Sequence, residues 1–363
     1  MKNRLLSLDV FRGITVAAMI LVNNPGDWGH VYPPLLHAHW HGCTPTDLIF
    51  PFFLFIVGVS IAFAMGKSKP SVLKIIKRSA ILFGLGLFLS LYPKFDFATV
   101  RIPGVLQRIA LVYLACSLIF IKTSRTIQIW ITTVLLVGYY LLMTFVPVPE
   151  VGYANLEPTT NLGAWIDRNI LTTAHLWKSA KVWDPEGLFS TLPAIGTGLL
   201  GVFTGQWLKS SYSASEKIAW LFFSGNALIV GGLIWDLFFP INKALWTSSY
   251  VLYAGGWAMV GLAACYWLID VQGYRRWTTP LVAFGVNAIT VFFLSGIIPR
   301  TLALIKVETP EGVITSQQWM QQNLIAVWFR NAYNASLAGA VTFITFWFVI
   351  LYVMYKKGIV IKV

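Results

Sequence analysis

Long apolar runs, separated by mostly short polar connections, dominate the pattern of hydrophobic and polar positions along this chain of 363 residues. A transmembrane helix needs about 20 predominantly apolar residues, and about ten of the runs reach that length. The pattern therefore predicts an all-α polytopic membrane protein with about 10 transmembrane helices, forming a single transmembrane domain. The predicted spans cover residues 6–24, 47–66, 72–92, 104–121, 126–146, 187–207, 217–239, 246–269, 279–298 and 334–355.

Three longer connections interrupt the apolar pattern, at about 25–46, 147–186 and 299–333. Each follows an odd-numbered span, so we expect all three to be outer loops on the side opposite the N-terminus. The third loop contains a segment near 317–330 that favours a short amphipathic or re-entrant helix. All five histidines of the chain fall in these outer loops.

Composition and charge support this topology. Apolar residues make up 57% of the chain and charged residues 11%, whereas a soluble domain has about 45–50% and about 25%. The net charge of +13 comes from cations in loops between apolar runs, so we expect the lipid bilayer, and not nucleic acid, as a partner. Sixteen of the 27 lysines and arginines lie in connections on the N-terminal side. The positive-inside rule then predicts both termini in the cytoplasm.

A histidine cluster next to a carboxylate is the main candidate for chemistry. His37, His39 and His41 lie within five residues, and Asp47 follows just before an apolar run. One interpretation is a histidine that acts as general base or acyl acceptor, oriented by Asp47. A second is a transition-metal site, since alternate residues of an extended segment point the same way. A third is a group of interfacial residues at the headgroup level. The residues alone leave all three open.

Polar residues inside the predicted spans are the next candidates. Asp9 and Arg12 are three residues apart and can form an ion pair on one helix face, or Arg12 can bind an anionic ligand. Arg108 lies within an apolar zone, where a cation requires a partner or a cavity. Asn23 ends the first span and Asp47 begins the second, so either side chain can be a helix cap instead of a catalytic group.

Several motifs, spread over nearly the whole chain, resemble the heparan-α-glucosaminide N-acetyltransferase family and its bacterial relatives. The most specific is the block from His37 to Gly58, where polar and aromatic residues hold fixed spacings. The motifs are Leu8-Asp9-Val10-Phe11-Arg12-Gly13, Val22-Asn23, His37-Ala38-His39-Trp40-His41-Gly42 with Asp47 and Pro51, Gly104-Val105-Leu106-Gln107-Arg108, Asp184-Pro185-Glu186-Gly187, Asn242-Lys243 with Trp246, and Gly285-Val286-Asn287.

The resemblance implies transfer of an acetyl group from acetyl-CoA to the amino group of a terminal glucosamine across the membrane. It implies His37 as the active histidine, with Asn23 and Asp47 as its catalytic partners, and no metal. Catalysis is not carried over to His39 or His41. The anionic end of acetyl-CoA requires cations, and the cluster at 67–78 can attract it. Candidate cofactor-binding residues are Arg12, Arg108, Lys243 and Asn287.

Other expectations follow from the same resemblance. The chain is expected in the bacterial inner membrane as a multi-pass protein, and a homodimer is a further expectation because family members can associate as dimers. Direct transfer to the acceptor is preferred over an acetyl-histidine intermediate. A longer acyl donor and a cell-envelope glycan acceptor stay open. The alternative function is an amino-sugar transporter, although the sequence has no convincing internal repeat of the kind that carriers show.

Overall fold

The computed structural model of the chain describes residues 5–65, 70–310 and 312–361, and most of them are helical. The dominance of helices predicted from the apolar pattern is confirmed. The helices are α1 Leu6–Asn23, α2 Ile49–Met65, α3 Val72–Leu91, α4 Val105–Lys122, α5 Arg125–Phe145, α6 Leu162–Leu171, α7 Thr191–Leu208, α8 Ala214–Asp236, α9 Ser248–Cys265, α10 Thr279–Val286, α11 Ala288–Leu304, α12 Ser316–Met320 and α13 Ala332–Lys356.

Seven helical segments among the described residues are long and apolar enough to cross a membrane. A bent pair, α10 and α11, raises this number to as many as eight if the pair is one span. Two further predicted spans are helical but differ in character. Helix α3 begins with Lys74, Lys77 and Arg78 in its first two turns. Helix α7 is rich in glycine and threonine and is largely buried between other helices. The count of about ten spans therefore stays a prediction.

Three features of the C-terminal third differ from the sequence-based expectation. The predicted span 279–298 is not one helix, because it breaks at Asn287 and bends by 79°. The loop predicted at 299–333 begins later, since α11 continues past Pro299 to Leu304. That loop contains an antiparallel hairpin of β1 Lys306–Thr309 and β2 Gly312–Thr315, which an all-α prediction misses. The helix expected near 317–330 is present as a run of α12 and two irregular helical turns up to Trp328.

The centre of the bundle is the contact between α2 and α7, where glycines allow the two backbones to approach closely. A Cβ atom added at Gly58 would lie 1.9 Å from the carbonyl oxygen of Gly198. One added at Gly201 would lie 2.0 Å from the carbonyl oxygen of Phe55. These distances leave no room for a side chain, so the glycines set the position of α2 relative to α7. The short segment directly before α2 carries polar residues of the candidate site.

The connections before α2, α4, α7 and α9 meet at one end of the bundle, here called the loop end. The amide of Gly42 donates to the carbonyl of Ile241 at 2.7 Å, and the amide of Ile102 donates to the carbonyl of His175 at 2.9 Å. Segments far apart in sequence are therefore joined by main-chain hydrogen bonds. The histidines His30, His37, His39, His41 and His175 all belong to these connections.

The opposite end of the bundle, here called the terminal end, holds both described ends of the chain. The amide of Ser7 donates to Asp270 at 3.0 Å. The Asn287 side chain donates to the carbonyl of Ile359 at 3.1 Å and accepts from the amide of Ile361 at 2.9 Å. An even number of crossings produces such an arrangement, while the cytoplasmic assignment of this end stays a prediction. The cation count above includes residues outside the described part of the chain, namely Lys2, Arg4, Lys67, Lys69 and Lys362.

Candidate active site

Asp47 lies in a short 3-10 helix, Pro45–Leu48, that leads directly into α2. Its carboxylate is 1% exposed. One oxygen, Oδ2, accepts hydrogen bonds from the amides of Ala38 and Thr44 at 3.0 and 2.9 Å and from the Thr44 hydroxyl at 3.1 Å. These contacts orient the carboxylate and leave the other oxygen, Oδ1, available for one further donor. Asp47 therefore organises the loop before α2 as well as facing a partner.

The partner of Asp47 is His37. Nδ1 of the imidazole lies 2.7 Å from Asp47 Oδ1. A carboxylate can only accept, so Nδ1 carries the hydrogen and the neutral ring presents the lone pair of Nε2. The His37 side chain is 50% exposed, and its outward nitrogen is accessible at the loop end. A histidine held in this tautomer by a buried carboxylate has the arrangement that a general base or a nucleophile requires.

Lys243 approaches the same imidazole from the connection between α8 and α9. Its Nζ atom lies 3.4 Å from Nε2 of His37. Burial lowers the pKa of the Lys243 amine, and the carboxylates of Glu186 and Asp47 oppose that shift. Sequence reasoning assigned Lys243 to cofactor binding, whereas the structure brings it to the histidine across 206 residues of sequence. Only the motif Asn242-Lys243 signalled its importance.

A second polar cluster lies at the same end of the bundle. Arg101 donates to both oxygens of Asp184, at 2.8 and 2.5 Å, and to Glu186 at 2.6 Å. Asp184 and Glu186 are buried, and Arg101 neutralises part of their charge. Glu186 in turn acts electrostatically on Lys243. The sequence motif at 184–187 indicated the segment, but its pairing with Arg101 is a long-range contact that no local pattern predicts.

A buried layer of aromatic rings and one arginine lies directly beneath Asp47. The hydroxyl of Tyr250 donates to the Asp47 carbonyl at 2.5 Å. Trp246 packs against Tyr250 and against Phe50, with ring centroids 5.3 and 5.2 Å apart. The Arg108 guanidinium lies 5.0 Å from the centre of the Trp246 ring. We call these four residues the aromatic layer.

Arg108 in this layer is only partly satisfied. It is 1% exposed. Its Nη2 atom donates to the carbonyl of Gly187 at 2.9 Å and to the hydroxyl of Ser190. Its Nε and Nη1 atoms have no hydrogen-bond partner among the described residues. Buried donors without a partner are costly, so the N–H groups on these two nitrogens of Arg108 are available for an acceptor that enters the bundle.

A cavity of about 300 Å³ lies in the half of the bundle nearer the terminal end. One wall is the face of α2 from Phe53 to Met65, and two cations, Arg12 and Arg78, border it. Arg12 donates to Asp9 at 3.0 Å and to Ser60 at 2.8 Å, so the predicted pairing of Asp9 with Arg12 is present. The volume is within the range of small-molecule pockets.

The cavity wall on α2 and the partner of His37, Asp47, belong to one continuous helical segment. Phe53, at the upper end of the cavity wall, is six residues from Asp47, which corresponds to roughly 10 Å along a helix axis. The aromatic layer lies in that interval, because Phe50 is midway between the two. A ligand in the cavity is therefore separated from the His37–Asp47 pair by one layer of side chains.

The remaining predicted residues occupy different places. Asn23 is exposed at the end of α1, and its side chain makes no hydrogen bond to any residue the structure describes. Helix α1 contacts the 3-10 helix that carries Asp47. Asn287 lies at the bend beside the cavity, but its amide already binds the C-terminal segment. His41 faces Asn242 at 3.3 Å. In the described ranges, no group of three or more histidine, cysteine or acidic side chains has the geometry of a metal site.

Comparison with known proteins identifies the family to which this site belongs. The family model described as "Heparan-alpha-glucosaminide N-acetyltransferase, catalytic" matches residues 4–232. The chain belongs to this family. It is 30% identical to the human protein named heparan-alpha-glucosaminide N-acetyltransferase and 29% identical to the mouse protein of that name. Both alignments cover 99% of this chain, which spans only 60% and 61% of the length of those relatives.

Some candidate residues of this N-acetyltransferase family member lie within the range of the family match and others lie beyond it. Asn23, His37 and Asp47 lie inside residues 4–232, as do the two predicted cofactor-binding arginines. Lys243 and Asn287 lie beyond the match, although the alignments with the human and mouse proteins extend over nearly the whole chain. The resemblance of the motifs to the family is thus confirmed for the chain as a whole, and the role of each residue stays a prediction.

Proposed function

We propose that this chain is a transmembrane acetyltransferase that moves an acetyl group from acetyl-CoA to the amino group of glucosamine or a terminal glucosaminide on the far side of the membrane. The observation that carries the proposal is the pairing of His37 with buried Asp47 at 2.7 Å, one layer of side chains away from a cavity bordered by cations. The protein would be a multi-pass protein of the bacterial inner membrane, with the terminal end of the bundle in the cytoplasm.

The cavity is the proposed site of the donor. Arg12 and Arg78 carry the positive charge that phosphate groups require. Arg108, deeper in the bundle, has unused N–H donors that suit a carbonyl oxygen of the donor. Asn287 contributes less directly, because it fixes the backbone that forms one wall of the cavity. The thioester must pass the aromatic layer to reach His37, so rearrangement of Phe50 and Trp246 is part of the proposal.

Three residues at the loop end, His37, Asp47 and Asn23, have a proposed role in the transfer. Nε2 of His37 accepts a proton from the acceptor nitrogen as that nitrogen bonds to the acetyl carbon. Asp47 stabilises the imidazolium that forms. The Asn23 amide donates to the carbonyl oxygen as it gains negative charge. The carbon–sulfur bond then breaks and CoA leaves as a thiol. We propose direct transfer within a ternary complex, and a stable label on His37 after incubation with labelled acetyl-CoA alone would contradict it.

The experiment that tests the function uses the full chain reconstituted in lipid nanodiscs. Acetyl-CoA and glucosamine are added, and free CoA thiol and labelled N-acetylglucosamine are measured. We expect equal amounts of both products from the wild type. His37→Ala should abolish turnover and retain binding of acetyl-CoA, whereas the neighbouring His39→Ala should retain activity. Wild-type protein that binds acetyl-CoA but forms neither product would refute the proposal.

One structural feature favours the alternative of an amino-sugar transporter. The bend of 79° between α10 and α11 is a broken helix, and discontinuous helices form the substrate sites of many carriers. The cavity touches this bend on both sides of Asn287. Proteoliposomes distinguish the two functions. Uptake of labelled glucosamine without release of CoA thiol would support the transporter.

A further inference from the structure

Lys243 occupies the side of the His37 ring opposite Asp47. The two ring nitrogens have different neighbours, with Asp47 Oδ1 at 2.7 Å from Nδ1 and Lys243 Nζ at 3.4 Å from Nε2. The imidazole is thus flanked by a carboxylate and an amine. The second contact is long for a hydrogen bond, so an acceptor amine can approach Nε2 while Lys243 stays beside the ring.

Hydrogen bonds that involve backbone and side-chain groups hold the segment of Lys243 in this position. The side-chain oxygen of buried Asn242 accepts from the backbone amide of Leu245 at 2.9 Å. The backbone amide of Asn242 donates to the hydroxyl of Thr247 at 3.0 Å. The connection before α2 is joined to this segment, because the backbone amide of Gly42 donates to the carbonyl of Ile241 at 2.7 Å. The segment that carries Lys243 is therefore bonded directly to the segment that carries His37. Their proximity is set by the fold and does not depend on one flexible side chain alone.

Charged groups from several segments of the chain act on the Lys243 amine. The groups that act on its amine are Asp47 and His37 before α2, Arg101 before α4, Arg108 in α4, and Glu186 before α7. Burial is the largest influence and lowers the pKa of Lys243, and the two arginines act in the same direction. The two carboxylates act against it. This environment favours a lysine that exchanges a proton more readily than a solvent-exposed one.

We propose that Lys243 forms a proton relay with His37, receiving the proton that the imidazole takes from the acceptor amine and returning it to the departing thiolate. This inference rests on the acetyltransferase function proposed above. It assigns Lys243 a role different from the binding of donor phosphates, because the amine lies at the loop end while Arg12 and the cavity lie toward the terminal end.

The relay balances without a further reactant. As the nitrogen–carbon bond forms, the proton of the acceptor nitrogen passes to Nε2 of His37 and then to the lone pair of Lys243 Nζ. As the carbon–sulfur bond breaks, the Lys243 ammonium returns that proton to sulfur. The products are the N-acetylated amine and CoA thiol. His37 and Lys243 finish in the protonation states in which they began, and Asp47 stays ionised throughout.

The test compares Lys243→Met with Lys243→Arg in nanodiscs. Loss of a group that transfers protons typically costs about 100-fold or more in rate, so we expect kcat to fall by that factor in both variants. The KM for acetyl-CoA should stay within about threefold of wild type. Arginine stays protonated and positively charged, so it cannot accept the proton that neutral Lys243 takes from His37. Exposed Lys178 at the same end, which contacts Thr99 at 3.1 Å, provides the control Lys178→Met with unchanged kcat.

Recovery of activity by Lys243→Arg, or a raised KM for acetyl-CoA with unchanged kcat, would overturn the relay and indicate an anion-binding role. If wild-type protein releases thiol normally and Lys243→Met matches it, the relay fails while the acetyltransferase function stands. If the wild type forms no product, both fall together.

A second measurement separates proton transfer from folding defects. Lys243→Ala is supplied with ethylamine, and labelled N-acetylglucosamine is quantified. We expect recovery that rises with the concentration of the neutral amine as pH increases. Recovery that follows total amine, independent of its protonation, would contradict the relay, as would the absence of any recovery in a variant that still binds acetyl-CoA.

Discussion

Replacing Asp47 with asparagine changes one atom of the site and is expected to reverse the tautomer of His37. The Oδ2 atom of Asp47 accepts two backbone amides, from Ala38 and Thr44. In Asp47→Asn, the carbonyl oxygen of the new side chain is needed there. Its NH2 group then faces Nδ1 of His37 and donates to it. Nδ1 must become the acceptor, so Nε2 carries the hydrogen and loses its ability to take a proton.

The expected loss follows from the role that disappears. General base catalysis contributes about 10²- to 10⁴-fold, which corresponds to roughly 3–5 kcal/mol in activation free energy. The stability of the fold should change little, because the backbone donors keep their acceptor. Asp47→Ala is the matched comparison, since it leaves the two amides unpaired at a cost of about 1–3 kcal/mol each.

The assay is release of CoA thiol from acetyl-CoA with saturating glucosamine, together with the thermal midpoint of each variant. We expect Asp47→Asn to lose at least about 100-fold in kcat, with a midpoint close to that of the wild type. Asp47→Ala should lose activity and stability together. An Asp47→Asn variant with more than about a tenth of wild-type kcat would refute the reasoning, because the tautomer of His37 would then not matter.

Three further predictions test the packing, the electrostatics and the donor site. Gly58→Ala should lower the free energy of unfolding by about 1–3 kcal/mol, because its Cβ would lie 1.9 Å from the Gly198 carbonyl oxygen. Gly138→Ala is the control, because open space surrounds that position. Equal stability of the two variants would contradict the close approach of α2 and α7. Burial raises the pKa of Asp167 to about 6, so the folded chain binds a proton more tightly than the unfolded chain and loses stability as pH rises from the ordinary carboxylate pKa toward about 6. Asp167→Asn should therefore raise the thermal midpoint relative to wild type more at pH about 7.5 than at pH about 4.5, and a pH-independent difference would argue against it. Arg12→Gln should raise the KM for acetyl-CoA about tenfold with little change in kcat; a change in kcat alone would exclude Arg12 from donor binding.

Local features of this chain were predictable from sequence, because they depend on neighbours within a few residues. Helix positions follow from apolar runs, and the pairing of Asp9 with Arg12 follows from their spacing of three. The break at Asn287 has a weaker local signal, since the apolar run continues through it. The β1–β2 hairpin was missed because its strands are only four residues long.

The composition of the candidate active site was predictable only in part. His37 and Asp47 are ten residues apart, and a single loop brings them together. The contact of Lys243 with His37 and that of Arg101 with Asp184 join residues 206 and 83 positions apart. Such contacts depend on how helices pack, which the glycines between α2 and α7 determine through backbone approach. A single sequence without a structure does not show how closely the helices pack.

The two hydrogen bonds between the Asn287 side chain and the C-terminal segment affect where a label can be attached to this protein. Because Ile361 is part of the cavity wall and its amide is bonded to the hinge between α10 and α11, an affinity tag or fluorescent fusion attached downstream would pull on the chamber where the donor is expected. Truncation before Ile359 would remove both hydrogen-bond partners of the Asn287 side chain and one residue of the cavity wall. Protein for kinetic work is therefore better labelled in an exposed part of the β1–β2 hairpin region than at the C-terminal end.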